Sequence, residues 1–183
     1  MKSIRGFTLI ELVMSIAIVG ILLTVGIPSF IALITNNRIV SQTNDFISDL
    51  AHARAEAVRR NTRVTICRSN TGTSCVPSSS WRDGWIVFTD QQVIGRGAYS
   101  SASETLLRVH SAMPTGMTLA VSGFENSGDY LQFLPSGLVS GVTGGSTTSA
   151  GTFTLCVSGY KGRTINFNSI GRVNITAMTT NCP

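Results

Sequence analysis

The chain has 183 residues, of which only 13% are charged, a formal net charge of +5 and a positive mean hydropathy of +0.25. This length allows one domain of ordinary size, or a small domain with a long appendage. Disordered chains combine low hydrophobicity with high net charge, so the composition excludes disorder of the whole chain.

The first predicted element is an apolar helix at residues 7–34. Twenty of these 28 residues are apolar, and Glu11 is the only charged one. A helix of this length measures ~42 Å, which is enough to cross a hydrocarbon core of ~30 Å. Lys2 and Arg5 precede the segment, so the positive-inside rule keeps the N-terminus in the cytoplasm and sends the remainder across the membrane.

A secretory signal peptide and a simple single-pass anchor are the alternatives for this segment. Its apolar run exceeds the roughly 7–15 residues of a signal peptide, and no A-x-A-like cleavage site follows it. A simple anchor does not account for Glu11, because a carboxylate inside a membrane is costly unless it has a partner. The position of Glu11 therefore indicates a contact with another group.

The helix is predicted to continue through residues 35–61 as an amphipathic half. Apolar residues at spacings of three and four form a stripe that can cover a sheet: Ile39, Phe46, Ile47, Leu50 and Val58. Charged residues lie on the opposite face, which we expect to be solvated: Arg38, Asp45, Asp49, Glu56, Arg59 and Arg60.

Residues 62–183 change to the period of strands. Short runs of β-branched and aromatic residues, bounded by Gly, Pro, Ser or Asn, predict an antiparallel sheet domain of six to eight strands. Strands that follow a single helix predict an α+β fold, with the long N-terminal helix packed on the sheet. Trp81 and Trp85 are expected in the core, Asp90 at the start of a turn, and residues 135–151 in a mobile loop.

The four cysteines, at positions 67, 75, 156 and 182, include no C-x-x-C pair. We therefore predict no metal site and no cofactor. Disulfides are favoured in an exported domain. Of the three possible connectivities, we favour Cys67 with Cys75, which closes a turn, and Cys156 with Cys182, which ties the C-terminal tail to a strand.

An enzyme is a rival functional class. The sequence has no G-x-S-x-G, no H-E-x-x-H and no phosphate-binding glycine loop, and no motif pairs a serine or cysteine with His52 or His110. We therefore expect a protein that is not an enzyme.

Residues 6–12, Gly-Phe-Thr-Leu-Ile-Glu-Leu, resemble the processing site of type IV prepilins and type II secretion pseudopilins. A short basic leader ends in Gly6, cleavage would precede Phe7, and Glu11 would be the fifth mature residue. The resemblance implies that a prepilin peptidase removes residues 1–6 and methylates the new amine of Phe7. It also implies that the helix anchors the subunit in the bacterial inner membrane until an assembly platform draws it into a filament, with Glu11 serving assembly.

Residues 81–90 resemble the W-x-x-G-W-x-V-F-x-D signature of the GspH/FimT group of minor pilins and pseudopilins. Residues 133–137 and 170–173 match later landmarks of this group. The resemblance implies a type IV pilin-like fold and a minor pilin of the FimU/FimT kind, which helps initiate or cap a pilus. Its partners would be other major and minor pilins, and its C-terminal domain would be periplasmic before it joins the pilus outside the cell.

The net charge leaves two alternatives open. Loss of Lys2 and Arg5 leaves 12 basic and 9 acidic residues, a charge of +3, and Lys161, Arg163 and Arg172 lie in a C-terminal stretch without acids. Such residues could hold the phosphates of double-stranded DNA. In the FimT branch, a G-R-x-R motif is associated with DNA uptake, whereas residues 171–174 here read Gly-Arg-Val-Asn. A pseudopilin of type II secretion is the second alternative.

Overall fold

The computed structural model describes residues 7–91, 99–123, 129–140, 151–168 and 170–183. These residues form one long helix, a short 3-10 turn and nine strands. The chain divides between Asn37 and Arg38 into two compact units.

Helix α1 spans Leu9–Arg60 as one element, with Pro28 inside it. Its start is capped by Thr8, whose Oγ1 accepts a hydrogen bond from the Glu11 backbone N–H at 3.3 Å. At the other end Asn61 has a positive φ of 50°, and the N–H of Thr62 donates to the Ala57 carbonyl at 3.2 Å. This left-handed residue ends the helix in the way that C-terminal caps commonly do.

In the first unit, every described side chain from Phe7 to Phe30 is exposed. Helix α1 is long and apolar enough to cross a membrane, by length and composition. The apolar side chains of this half therefore contribute nothing to a core within the unit.

In the second unit, α1 buries Ile39, Phe46 and Leu50, as the sequence predicts. Two expectations for this half are wrong. Val58 is 54% exposed, because Ala57 takes the core-facing position beside it. Asp49 is not solvated but only 3% exposed, since a tryptophan and an arginine from the sheet bind its carboxylate.

The strands, in chain order, are β1 Arg63–Arg68, β2 Trp85–Asp90, β3 Leu106–His110, β4 Met117–Ser122, β5 Tyr130–Phe133, β6 Val139–Ser140, β7 Gly151–Val157, β8 Lys161–Phe167 and β9 Val173–Asn181. They form two antiparallel sheets, one ordered β3-β2-β1-β5-β6 and one ordered β4-β7-β8-β9. The 3-10 turn, Trp81–Asp83, precedes β2.

The α+β class with an antiparallel sheet domain is confirmed. The described residues form nine strands where six to eight are expected, and these strands divide into two sheets. The strand that the sequence does not predict is β6. It lies within the predicted loop 135–151, where Val139 pairs with Phe133. Two residues are too short to show a period, so no local pattern reveals this strand. Gly151 begins β7, and residues 141–150 lie outside the described residues.

The core forms where α1 meets both sheets. The ring of Phe46 lies 5.1 Å from Trp85, 5.7 Å from Trp81 and 4.8 Å from Phe153 of β7, measured between centroids. Both tryptophans are fully buried, as predicted. All the buried residues of the main core cluster lie between Ile39 and Phe167, so the unit 38–183 contains a complete core and can fold without residues 1–37.

Two disulfides hold the ends of strands. Cys67 is bonded to Cys75 and Cys156 to Cys182, the connectivity favoured from the sequence. The second bond needs a glycine beside it, because a Cβ at Gly162 would lie 2.7 Å from the Cys182 sulfur and 2.9 Å from the Cys156 sulfur.

Asp90 is the last residue of β2, and the turn expected after it falls on residues 92–98, which lie outside the described residues. The Asp90 side chain is buried, and its Oδ2 accepts hydrogen bonds from Thr65 Oγ1 and from Gln132 Nε2, both at 2.8 Å. The carboxylate therefore joins the side chains of three adjacent strands.

Candidate functional site

The first candidate site is the exposed apolar surface of residues 7–34, with Glu11 in its first helical turn. The Glu11 carboxylate forms no ion pair with any described residue. The positive end of the helix macrodipole favours an anion at this position. Gly6 lies outside the described residues, and Phe7, 80% exposed, directly precedes the Thr8 cap.

This arrangement suits packing between helices in an apolar medium. A contiguous apolar surface of this length is far larger than soluble monomers expose, so it marks a contact with lipid or with other helices. A carboxylate within such a surface attracts a cation strongly once water is excluded. A cation beside the Glu11 carboxylate would therefore be strongly favoured in such a medium.

The second candidate site is the basic C-terminal stretch. Lys161 is exposed at the start of β8, and Arg163 is half-buried two residues further on. Arg172 is exposed in the turn between β8 and β9, where its backbone N–H donates to the Asn168 side chain at 2.8 Å. Arg163 and Asn168 are five residues apart on an extended strand, about 17 Å. Lys161 and Arg163 therefore both lie at the beginning of β8, with a register irregularity between them, whereas Arg172 lies at the far end of the hairpin.

Arg172 lines a cavity of about 490 Å³ together with three asparagines, Phe167 and Val173. Asn174, which stands where the second arginine of the G-R-x-R pattern would be, pairs with Asn166 across the two strands. Asn166 in turn accepts a hydrogen bond from Thr152 at 3.1 Å. Among the described residues, this end of the hairpin places one cation, Arg172, in a cavity that three asparagines also line.

A buried polar cluster on the second half of α1 was missed at the sequence level. The Asp49 carboxylate accepts a hydrogen bond from Trp85 Nε1 at 2.8 Å and forms an ion pair with Arg108. The His110 ring stacks on Trp85 at 3.9 Å between centroids, 11° from parallel. A buried indole N–H normally finds an acceptor, so Trp85 was a signal that some polar group joins the core. The cluster fixes the helix to β2 and β3.

An apolar groove of about 580 Å³ lies beside the last turns of α1. Arg54 lies at this groove and donates from Nη1 to the Gly171 carbonyl at 3.2 Å. Nearby on the helix, hydrogen bonds from Arg59 and Arg60 lower the pKa of Glu56 to about 2. The groove depends on where the sheets meet the helix, which no local sequence pattern specifies.

No cluster of three or more His, Cys, Asp or Glu side chains that could hold a metal is found in the part of the chain that the structure describes.

Two family models match the chain. The model of the type II transport protein GspH matches residues 42–171, and the prokaryotic N-terminal methylation motif matches residues 1–27. No curated protein sequence matches the chain.

Solved pilin structures share the fold. The minor pilin FimU of Pseudomonas aeruginosa is 19% identical, with a TM-score of 0.57 over 80% of this chain and 96% of that one. A second crystal form of FimU gives a TM-score of 0.53 over 76% and 97%. The minor pseudopilin EpsH of Vibrio cholerae is 11% identical, with a TM-score of 0.49 over 76% and 97%. The FimU likeness shows the fold.

Proposed function

Since the chain belongs to the family of the type II transport protein GspH, which comprises structural pilins and pseudopilins, we propose that it is a minor type IV pilin. In this proposal it is a non-enzymatic subunit that helps initiate or cap a pilus. The observation that carries the proposal is the exposed apolar half of α1 with one carboxylate in its first turn. The match of residues 1–27 to the N-terminal methylation motif supports it.

The subunit would begin as a membrane protein. A prepilin peptidase would cut between Gly6 and Phe7 and methylate the new amine, while residues 7–34 hold the chain in the inner membrane. The unit 38–183 would then stand in the periplasm, an oxidising compartment that suits its two disulfides. The assembly platform would move the subunit from lipid into the filament, among other major and minor pilins.

Glu11 would guide this step by binding the terminal amine of a neighbouring subunit. An unpaired carboxylate is costly in lipid, and the same carboxylate is stabilised when a cation lies beside it in a medium of low dielectric constant. The gain comes only when subunits pack at the correct axial offset, so the pair favours one register of the helices.

The experiment replaces Glu11 with Ala in the full chain and compares membrane and sheared-pilus fractions. We expect the variant to insert in the membrane but to fall at least about tenfold in the pilus fraction, the loss that ~1.4 kcal/mol corresponds to. Ser15→Ala is the matched control, because it removes a polar group one turn further along and keeps the carboxylate. Normal incorporation of Glu11→Ala would contradict the proposal.

A DNA-uptake role is the second candidate, and the local excess of positive charge favours it. Lys161, Arg163 and Arg172 would hold duplex phosphates without reading sequence. We expect the unit 38–183 to retard duplex DNA at low salt and Arg163→Ala with Arg172→Ala to abolish the shift. Because the two arginines lie at opposite ends of the hairpin, each single variant should weaken binding only in part. No retardation at low salt would exclude this role.

A pseudopilin of type II secretion would use the same anchor and the same Glu11 contact with different partners. Deletion of the gene separates the two systems. Loss of surface pili with normal secretion of exoproteins supports the pilin role, and the reverse result supports the pseudopilin.

A further inference from the structure

Strand β9, Val173–Asn181, is an edge strand with an open outer side. It pairs with β8 on one side, and no described strand pairs with it on the other. In a β-strand, every second residue directs its N–H and C=O away from the existing partner. The outer side of β9 therefore presents a row of main-chain donors and acceptors.

Both faces of β9 are also exposed. From Asn174 to Ala177, four consecutive side chains are exposed, whereas Met117 and Leu119 on the opposite edge strand β4 are buried. The middle of β9 thus contributes little to the core of its own domain. Packing within the domain does not explain why this strand is nine residues long.

The composition of β9 leaves this edge unprotected. Natural edge strands are commonly blunted by charged side chains or proline, which discourage pairing with other chains. Residues 173–181 contain neither. A register shift between Lys161 and Arg163 of β8 interrupts the pairing at the C-terminal end of β9, but the pairing from Val173 to Ala177 is regular. Five residues of regular, uncharged edge remain available.

The strand is also held in place independently of core packing. The disulfide between Cys156 and Cys182 fixes the residue that follows β9 to strand β7. The N–H of Cys182 donates to the Tyr160 carbonyl at 2.8 Å. A strand that is rigid before it binds a partner loses little conformational freedom on pairing. The Cys156–Cys182 disulfide therefore lowers the entropy cost of pairing at this edge.

We propose that the outer edge of β9, from Val173 to Ala177, binds an extended, uncharged strand of a neighbouring filament subunit by β-augmentation. Main-chain hydrogen bonds would supply the affinity, and the exposed side chains would select β-branched and small polar residues opposite them. This inference rests on the proposed role of the chain as a pilin, because it takes the partner to be another subunit of the filament.

Orientation decides against a second β9 as the partner. Antiparallel pairing of β9 with its own copy requires a two-fold axis perpendicular to the sheet, which reverses every direction within the sheet plane. In the proposed pilus, subunits drawn from one membrane share one orientation, with α1 along the filament. Because α1 packs on the face of the β9 sheet through Phe46 and Phe153, the filament direction lies within the sheet plane and would be reversed. The partner is therefore a different strand. Because the N-terminal helices hold neighbours together at high effective concentration, a weak strand contact is sufficient.

The test places a photoreactive benzophenone amino acid at Ala177 of the full chain, and filaments are irradiated intact. We expect an adduct whose second site, found by mass spectrometry, lies in a strand or extended segment of another pilin subunit. The same label at Val109, which is exposed on β3 of the other sheet, is the matched control. An adduct confined to β9 of a second copy, an adduct to a protein that is not a pilin, or no adduct at all would overturn the inference.

A second variant tests the consequence for assembly. Asn174→Lys with Thr176→Lys places two charges on the regular part of the edge, and we expect at least about a threefold loss from the pilus fraction. Thr118→Lys, at an exposed position of β4, should leave incorporation unchanged. Unchanged melting of the unit 38–183 would show that the lysines do not unfold it. Normal incorporation of the lysine variant would overturn the inference, whereas failure of the pilin role itself would show as normal incorporation of Glu11→Ala.

Discussion

The two halves of helix α1 use apolar residues in opposite ways. The half that is richer in them, residues 7–34, exposes nearly all of its described side chains. The half with fewer, residues 38–60, buries Ile39, Phe46 and Leu50 against the sheets. Their carboxylates differ in the same way, since Glu11 is exposed and Asp49 is buried with two partners.

This contrast shows that hydrophobicity along one helix can serve two separate purposes. In the first half the apolar side chains face the surroundings of the subunit. In the second half they pack into the core and stabilise the subunit itself. Substitutions in the two halves should therefore separate into effects on assembly and effects on the free energy of unfolding. Three carboxylates on the helix test this separation, in decreasing order of their effect on stability.

Asp49→Ala should have the largest effect on stability. It leaves the Trp85 indole N–H buried without its acceptor and Arg108 without its counter-ion, at a cost of about 2–4 kcal/mol in the free energy of unfolding. Urea unfolding of the unit 38–183 measures this. Asp49→Asn, which keeps an oxygen for Trp85 and removes only the charge, should cost less than Asp49→Ala. Equal costs would show that the indole contact contributes nothing.

Glu56→Gln should have a smaller, pH-dependent effect. Ion pairs with Arg59 and Arg60 lower the Glu56 pKa from 4.5 to about 2, so the folded state favours the charged form. The stabilisation is therefore complete above pH 4.5 and disappears as the pH falls towards 2. Because both arginines are well exposed, we expect about 0.5–1 kcal/mol at pH 7. A difference between Glu56→Gln and the parent that persists at pH 2 would contradict this origin.

Glu11→Ala should have the smallest effect on stability. Its side chain touches no core residue, so thermal unfolding of the full chain in detergent should change by less than about 0.5 kcal/mol, as at ordinary surface positions. A lower melting temperature would mean that the exposed half supports the fold, and the contrast between the halves would fail.

Much of the fold follows from local patterns in the sequence. The helix, the antiparallel strands and the buried tryptophans are all predicted by spacing and residue type. The division into two sheets is not, because it depends on which strands pair over long distances. The short strand β6 is also not predicted, since its two residues are too few to show an alternation of apolar and polar side chains.

The candidate sites are less predictable than the fold. Glu11 stands out in the sequence because it is the one charge in an apolar run. Asp49 resembles any other charge on the polar face of a helix, and its burial depends on Trp85 and Arg108, which lie 36 and 59 residues away. The distance between Arg163 and Arg172 likewise depends on the strand that separates them, whereas the sequence shows only three cations in one stretch.

The stacked ring pair in the buried cluster gives the protein an internal optical signal. Its only two tryptophans, Trp81 and Trp85, both lie in the core of the unit 38–183, and His110 covers one face of Trp85. Tryptophan fluorescence therefore reports only on the folding of the unit 38–183 and does not detect changes in residues 7–34. The helical signal in far-UV circular dichroism, by contrast, comes from both halves of α1. Comparing the two signals during denaturation would follow the domain and its apolar extension separately without any label.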